Sequence, residues 1–326
     1  MIKRDHTYDV LIVGAGMSGL MAAHELVKHG LIVRVVDKGR GVGGRMATRR
    51  IGEATCDHGA QFMTTKDPVF LKFLEDWKSH DVVREWYRNL PNRADGYPGY
   101  RGTNGMTDIP KYLAQDIDVS LNVKVTAISK QTWDWILEFE DGMSVSAESL
   151  ILTPPIPQSV ALLNAGNVEL KSNLNAQLTS IKYEPCIAVM ATLKGSSNIP
   201  EPGGLFLQDN GPISWIADNK MKGISKAPSV TIHASTAYSI KYWDHDRHIN
   251  GQELLNSAGK LLGSDVIEYQ VHKWRYSKPG FIYKDRTVVL SQSPSLLLAG
   301  DAFGGPRIEG AALSGILAAQ KLLELL

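Results

Sequence analysis

The stretch "YDVLIVGAGMSGLMAAHELVKHGLIVRVVDKG", residues 8–39, constrains the fold more than any other part of the chain. Val10 to Val13 form a short apolar run ending in glycine, as a buried parallel strand does. Leu20, Ala23 and Val27 then keep helical spacing, and Gly30 is a natural stop. Leu31 to Val36 supply a second apolar strand, closed by Asp37. Strand, helix and strand in that order begin a βαβ unit, which favours an α/β fold.

The turn between the first strand and the helix reads Gly14-Ala15-Gly16-Met17-Ser18-Gly19, a GxGxxG. Alone, that pattern says little. Here a strand precedes it, a helix follows it, and an acid stands 18 positions beyond Gly19, so it reads as a dinucleotide-binding fingerprint. Gly14 permits the tight turn, Gly16 lets the backbone approach a pyrophosphate, and Gly19 lets the helix pack on the strand. The N-terminus of the helix offers N–H groups and partial positive charge to that pyrophosphate. Asp37 is placed to accept hydrogen bonds from the adenosine ribose hydroxyls.

Directly after Asp37 comes "DKGRGVGGRMATRR", residues 37–50, dense in glycine and arginine. Such a run serves either a flexible nucleic-acid-binding tail or a loop that lies against phosphates. Its place between structured motifs selects the second, with Arg45 able to neutralise a phosphate. The formal net charge of +1 agrees, because it gives no global field to gather nucleic acid or an anionic membrane. No apolar run approaches the length of a bilayer span. The two cysteines, Cys56 and Cys186, are far apart and not in a CxxC. That suits a reducing compartment and excludes a zinc ribbon or CxxC redox pair; no metal site is expected. The N-terminus runs straight into the first strand without a signal-peptide core, so a cytoplasmic protein is expected. A chain of 326 residues has room for one large or two ordinary domains.

Further along, "KDPVFLKFLEDWKSH" reads as an amphipathic helix with Pro68 in its first turn and Phe70, Phe73, Leu74 and Trp77 on one face. Residues 119–152 read as a β-meander with a turn at Asp141-Gly142, returning at "LILTPP". From 156 to 285 short helices alternate with strands such as "SVTIHAS" and "EYQVHKWRY". Strand-like "SLLLAGD" and a small-residue helix starting near Glu309 close the chain.

The fingerprint, the GGR loop, "DHGAQF" (57–62) and "LLLAGDAFGGPRIEGAALSG" (296–315) together resemble the flavin-dependent amine oxidase superfamily. Within it the resemblance is to renalase-like proteins, carried also by "GGRMATRR", "CDHGAQFMT", "TIHAS" (231–235), "VHKWRYSKP" (271–279) and "RIEGAALSG". The resemblance implies a glutathione-reductase-like, Rossmann-type FAD-binding domain with a mixed α/β substrate domain. The implied cofactor domain is discontinuous, 1–75, 103–155 and 286–326, with 76–102 and 156–285 forming the substrate domain.

It further implies FAD contacts from Lys38, Gly44, Arg45 and Met46, and from Gly59, Ala60, Gln61 and Phe62 beside the flavin ring. Val125 in "VKVTAI" would meet adenine through its backbone. Gly300 and Asp301 would hold the ribityl chain, and Ile308, Glu309, Gly310 and Ala311 would bring a helix N-terminus to the flavin O2/N1 edge. Asp301 is followed by "AFGGPR", without the cysteine that tethers flavin in some amine oxidases, so non-covalent FAD is expected. The implied reaction oxidises 2- or 6-dihydro isomers of NAD(P)H and passes electrons to dioxygen, giving hydrogen peroxide. No second GxGxxG follows, so the small-molecule substrate must reduce the flavin in the main pocket. An amine oxidase or desaturase, and a non-catalytic dinucleotide-binding protein, are the alternatives. Three residues are pocket candidates: His233, in an apolar strand pattern, and Trp274 and Tyr276, which share one strand face. Each is also readable as a core residue. No oligomeric state is specified.

Overall fold

In the computed structural model the chain is described over residues 8–91, 96–207 and 211–326. It divides into two compact units. The first joins Met1–Gly44, Pro110–Lys182 and Pro279–Leu326, and the second joins Arg45–Ile109 and Tyr183–Lys278. The cofactor-domain segments expected from the sequence divide the chain by function and carry different bounds. Residues 1–7, part of the stretch on which the no-leader reading rests, lie outside the described residues.

The first unit is built on a sheet whose centre is the opening βαβ. Strand Val10–Val13 pairs in parallel with Val33–Val36 on one side and Ser149–Leu152 on the other. Ser295–Leu298 continues the parallel run beyond Ser149–Leu152, and Asp118–Ser120 extends it beyond Val33–Val36. Val288–Gln292 closes one edge antiparallel. The central strands Val10–Val13, Ser149–Leu152 and Ser295–Leu298 are buried along their whole length, which is why they read as continuous apolar runs. Helix Met17–Lys28 stops where Gly30 takes a φ of +82°. It packs against the last helix, Ile308–Leu323, so closely that a Cβ on Gly315 would run into the Ser18 carbonyl oxygen. The expected meander is present as Val125–Lys130, Trp135–Phe139 and Ser144–Ala147, with Gly142 turning it at a φ of +84°.

The second unit carries a five-stranded sheet ordered Gly204–Phe206, Ile213–Asp218, Ser229–Ala234, Tyr183–Leu193, Val266–Pro279. Its core packs Ile187, Val189, Ile216, Val230 and Ile232 against Leu254 and Ala258 of helix Arg247–Leu262. Two ribbons, Thr48–Ile51 with Ala54–Asp57 and Val83–Tyr87 with Gly99–Gly102, complete it together with helix Pro68–Ser79. That helix starts as the sequence predicts. Asp67 caps it by accepting from the Val69 N–H, Pro68 occupies the first turn, and Phe70, Leu74 and Trp77 are buried.

Candidate functional site

In the first unit the strands ending at Val13, Leu152 and Leu298 are parallel neighbours, so Gly14, Thr153 and the Ala299–Gly300 turn leave the sheet from the same edge. Ligands of open α/β sheets bind at that carboxyl edge. Gly14 has a φ of +105°, and a Cβ there would strike Thr153 Oγ1, which itself donates to the Val13 and Gly14 carbonyls. A Cβ on Gly19 would strike the Gly14 carbonyl, so the turn holds only glycine at both places. Gly16 differs: nothing lies within 4 Å of where its Cβ would stand. The helix that begins at Met17 has no side-chain cap. A bare backbone facing open space at an uncapped helix N-terminus is the surface a pyrophosphate needs.

Asp37 lies beside this turn. Its Oδ2 accepts from the Ala15 N–H at 2.7 Å and its Oδ1 from the Gly39 N–H at 2.6 Å. A carboxylate oxygen takes two bonds, so each retains acceptor capacity for a ribose hydroxyl. The glycine-rich loop then folds back on the fingerprint. Gly43 N–H donates to the Ala15 carbonyl at 2.8 Å, and Gly16 and Gly43 form a parallel bridge. The opening of the meander reaches the same place, since Val123 N–H donates to the Asp37 carbonyl and Asn122 N–H to that of Gly39. Lys38 is directed to Gln158 at 3.3 Å on the exposed side.

At the other end of the chain, Gly300 takes a φ of +142° and its N–H is held by Ser314 Oγ at 2.8 Å. Asp301 is buried and opens the short helix Asp301–Gly304, an element the sequence reading missed. Helix Ile308–Leu323 follows, again without a side-chain cap, with Glu309, Gly310 and Ala311 in its first turn. Unit one thus gathers Gly14–Gly19, Asp37, Gly300 and Asp301 along one sheet edge, with the loop and Val125's strand beside Asp37. This set fits an FAD.

In the second unit the "DHGAQF" segment lies over one face of the five-stranded sheet. Cross-strand pairing places Phe206, Trp215, His233 and Ala188 in one row on adjacent strands. Paired residues of antiparallel strands share a face. Gln61 Nε2 donates to the Asp57 carbonyl at 2.6 Å and to that of Gly59 at 3.1 Å, and lies 3.5 Å from His233 Nε2. Phe62 meets Trp215 at 5.7 Å, Tyr87 at 5.2 Å and Trp86 at 6.1 Å between ring centroids. On the other flank, Trp274 stacks on His58 and donates its indole N–H to the His58 carbonyl at 2.8 Å. Gly59 is caught between Arg45 and Trp274: a Cβ would strike the Arg45 carbonyl and come within 3.3 Å of the indole. That carbonyl accepts from Ala60 N–H at 2.8 Å, while Arg45 Nη1 donates to Ser277 O at 3.2 Å. Gly44, Arg45 and Met46 form one 3-10 turn.

Of the three pocket candidates, His233 and Trp274 therefore meet the same segment. Tyr276 instead packs edge-on against Tyr183 at 5.6 Å. Sequence reasoning passed over Trp215, Trp86, His58 and His272, whose proximity depends on strand register and not on any motif. Burial pulls the His58 imidazole down to about 3, and those of His233 and His272 to about 4. All three are neutral near pH 7, so His233 Nε2 accepts from Gln61 only in its Nδ1–H tautomer.

Asp57, the acid of the segment, was expected only as part of a pattern. Its carboxylate is closed off. Oδ1 accepts from Thr48 Oγ1 at 2.5 Å and Met106 N–H at 2.8 Å, and Oδ2 pairs with Lys222 Nζ at 2.6 Å, both side chains being 0% exposed. Burial pushes both cysteine thiols up to about 12, so neither supplies a thiolate. Lys273 donates to the Trp243 and His245 carbonyls and is structural. No group of described residues could hold a metal ion, and no described helix is long and apolar enough to cross a membrane.

Two family models match the chain. Residues 12–77 match the family "NAD(P)-binding Rossmann-like domain", and residues 86–323 match "Flavin containing amine oxidoreductase". A candidate flavin-containing monoamine oxidase, AofH, of Mycobacterium tuberculosis is 33% identical over 135 residues, 39% of this chain and 29% of that protein. An acetone monooxygenase of a Gordonia species is 27% identical over 151 residues, 44% of this chain and 25% of that protein. The chain thus spans less than a third of the length of these relatives. Among solved structures, a candidate protoporphyrinogen oxidase from an Exiguobacterium species aligns with a TM-score of 0.77 at 14% identity, covering 98% of this chain and 99% of its own. A putrescine oxidase bound to putrescine aligns with a TM-score of 0.73 at 15% identity, covering 97% and 99%. These likenesses establish the fold: α/β, with a Rossmann-type FAD-binding part and a mixed α/β remainder.

Proposed function

The chain belongs to the flavin containing amine oxidoreductases, FAD-dependent oxidoreductases as a family, and from that premise we propose that it is a renalase-like oxidase whose substrate is a reduced nicotinamide dinucleotide, a 2- or 6-dihydro isomer of NAD(P)H. Bound without a covalent link, FAD supplies a hydride acceptor at N5 and a route for two electrons to dioxygen, which leaves as hydrogen peroxide.

The chain's own residues bind and orient. Gly14 to Gly19 and the uncapped start of helix Met17–Lys28 hold the pyrophosphate through backbone N–H groups. Asp37 accepts the ribose hydroxyls, and Val125 meets adenine through its backbone. Asp301 takes the ribityl chain, and the first turn of helix Ile308–Leu323 offers its partial positive charge to the ring edge where reduction places negative charge. In this reading Arg45 would neutralise a phosphate, Gly59 and Ala60 would lie beside the flavin ring, and Gln61, Phe62, His233 and Trp274 would serve the substrate side. Hydride donation straight to N5 needs alignment more than an acid or base, and neutral histidines suit that demand.

The observation that carries this reading is the closure of Asp57. The acid of the "DHGAQF" segment is consumed by Lys222, Thr48 and Met106, so the face bearing Phe62, Trp215 and His233 offers aromatic and neutral groups. A planar, uncharged dihydronicotinamide ring suits such a face; an ammonium gains less. The amine-oxidase reading is favoured by the relatives' names and by the rings themselves, whose faces also attract cations.

Stopped-flow mixing without oxygen separates the two. We expect 2- or 6-dihydro isomers to bleach the flavin rapidly and ordinary 4-dihydro NADH slowly, because a misplacement of about 1 Å at the reacting atoms can cost a hundredfold. Rapid reduction by primary or secondary amines, with none by the isomers, would move the assignment to an amine oxidase.

A further inference from the structure

Lys222 and Asp57 form an ion pair with both side chains at 0% exposure. The pair joins four segments. Asp57 ends the strand Ala54–Asp57, Thr48 begins its ribbon partner, Met106 belongs to the turn before helix Asp108–Leu113, and Lys222 follows strand Ile213–Asp218. Lys222 is itself anchored, its N–H donating to the Asp218 carbonyl at 2.9 Å, while Asp218 Oδ1 accepts from Met221 N–H. The strand so anchored carries Trp215, the cross-strand neighbour of His233.

Stability alone does not explain such a pair. Two buried charges are costly to desolvate, and apolar side chains of the same volume commonly serve as well or better. What this pair supplies is a fixed position, because its 2.6 Å charge-assisted hydrogen bond weakens steeply once donor and acceptor lose their distance or alignment. That position is passed on. The Asp57 carbonyl accepts from Gln61 Nε2, and the same nitrogen faces His233 at 3.5 Å. Among the described residues the buried Gln61 Oε1 has no hydrogen-bond partner, so they hold its amide from the nitrogen side alone.

We propose that Lys222 is a positioning residue: by holding the Asp57 carboxylate it sets the turn 57–61, and with it the placement of the Gln61 amide against His233. This rests on the reading of that sheet face as the substrate side. Lys222 touches neither Gln61 nor His233 by a hydrogen bond; it acts through Asp57. Among the described residues the charged or titratable groups around the pair include Arg101, whose Nη1 donates to the Gly102 and Thr103 carbonyls, and the buried Cys56 thiol. They also include His233, whose imidazole is pushed down by burial and, to a smaller extent, by the Lys222 charge. Trp86 presents its ring 5.1 Å from Lys222 Nζ.

The test uses the full-length holoenzyme and three variants: Lys222→Met, Lys222→Arg, and the double variant Asp57→Asn/Lys222→Met. Three quantities are read: the melting temperature, hydrogen exchange of the Gln61 side-chain amide by NMR, and the limiting rate of flavin reduction. Lys222→Met leaves a buried carboxylate unpaired and should melt well below the parent. The double variant removes both charges and should recover most of that loss. If Lys222 positions the turn, the recovered double variant still exchanges its Gln61 amide at least tenfold faster, and its limiting rate is at least tenfold lower with half-saturation little changed. Recovery of exchange and rate together with melting temperature would overturn the proposal, leaving the pair a stabiliser only. Should the double variant not fold, Lys222→Arg decides, since it keeps a cation at Asp57. Exchange within about twofold of the parent supports the proposal, and exchange tenfold faster overturns it. Should no nicotinamide or amine reduce the parent's flavin, the substrate reading fails, whereas the amide exchange still decides the role of Lys222.

Discussion

Asp37 shows how one side chain serves two purposes. Its two oxygens hold the fingerprint turn through Ala15 N–H and the glycine loop through Gly39 N–H, leaving acceptor capacity for a ribose. A hydrogen bond to a charged group contributes on the order of 1.5–3 kcal/mol, and about 1.4 kcal/mol is tenfold in affinity. Asp37→Ala should therefore weaken FAD binding roughly ten- to a hundredfold, read by titrating the apoprotein and following flavin fluorescence. A folded variant with unchanged affinity would place the ribose elsewhere. The residue itself was legible because its distance from the fingerprint is set by one helix and one strand. Lys222 was not legible, since nothing in "DNKMKGISK" marks which lysine will be buried.

Among the elements, the turn 57–62 depends most on close approach. Gly59 lies where a Cβ would strike the Arg45 carbonyl, and that carbonyl accepts from Ala60 N–H. Gly59→Ala must push the turn off Arg45 and toward Trp274, and overpacking of this kind costs about 1–3 kcal/mol. We expect a lower melting temperature together with a shifted flavin absorption band; a variant matching the parent in both would show that the turn has room. The C-terminal helix illustrates a smaller departure. Small residues from Glu309 onward announce it, and it starts at Ile308. The short helix Asp301–Gly304 before it was hidden, because four residues carry no periodicity.

For the whole molecule, the three depressed histidines tie stability to pH. In the unfolded chain a histidine titrates near 6.5, whereas burial holds His58 at about 3 and His233 and His272 at about 4. Between those values the unfolded state binds protons that the native state refuses, so stability is full above about pH 6.5 and is lost as the pH falls toward 4. The buried His58 contributes a slope of up to about 1.4 kcal/mol per pH unit, and the half-buried His233 and His272 contribute less. Urea midpoints should fall between pH 7 and pH 5, and His58→Asn should flatten the fall. Equal midpoints at the two pH values would contradict the burial of these rings. Denaturation should also release free FAD, because no cysteine follows Asp301. Colour retained by the precipitated chain would reveal a covalent bond.

Local pattern determined the opening βαβ of the first unit. An apolar strand, a glycine turn, an amphipathic helix and an acid at a set distance are signals carried by neighbours in sequence, and each forms the element it announces. The same holds for helix Pro68–Ser79, whose cap, proline and apolar face are written within it. Tertiary structure alone decided the second unit's face. Asp57 and Lys222 are 165 positions apart, and Trp215 stands beside His233 only because two antiparallel strands pair in that register. Register over such distances follows from the summed burial of many side chains, and no short stretch contains that sum.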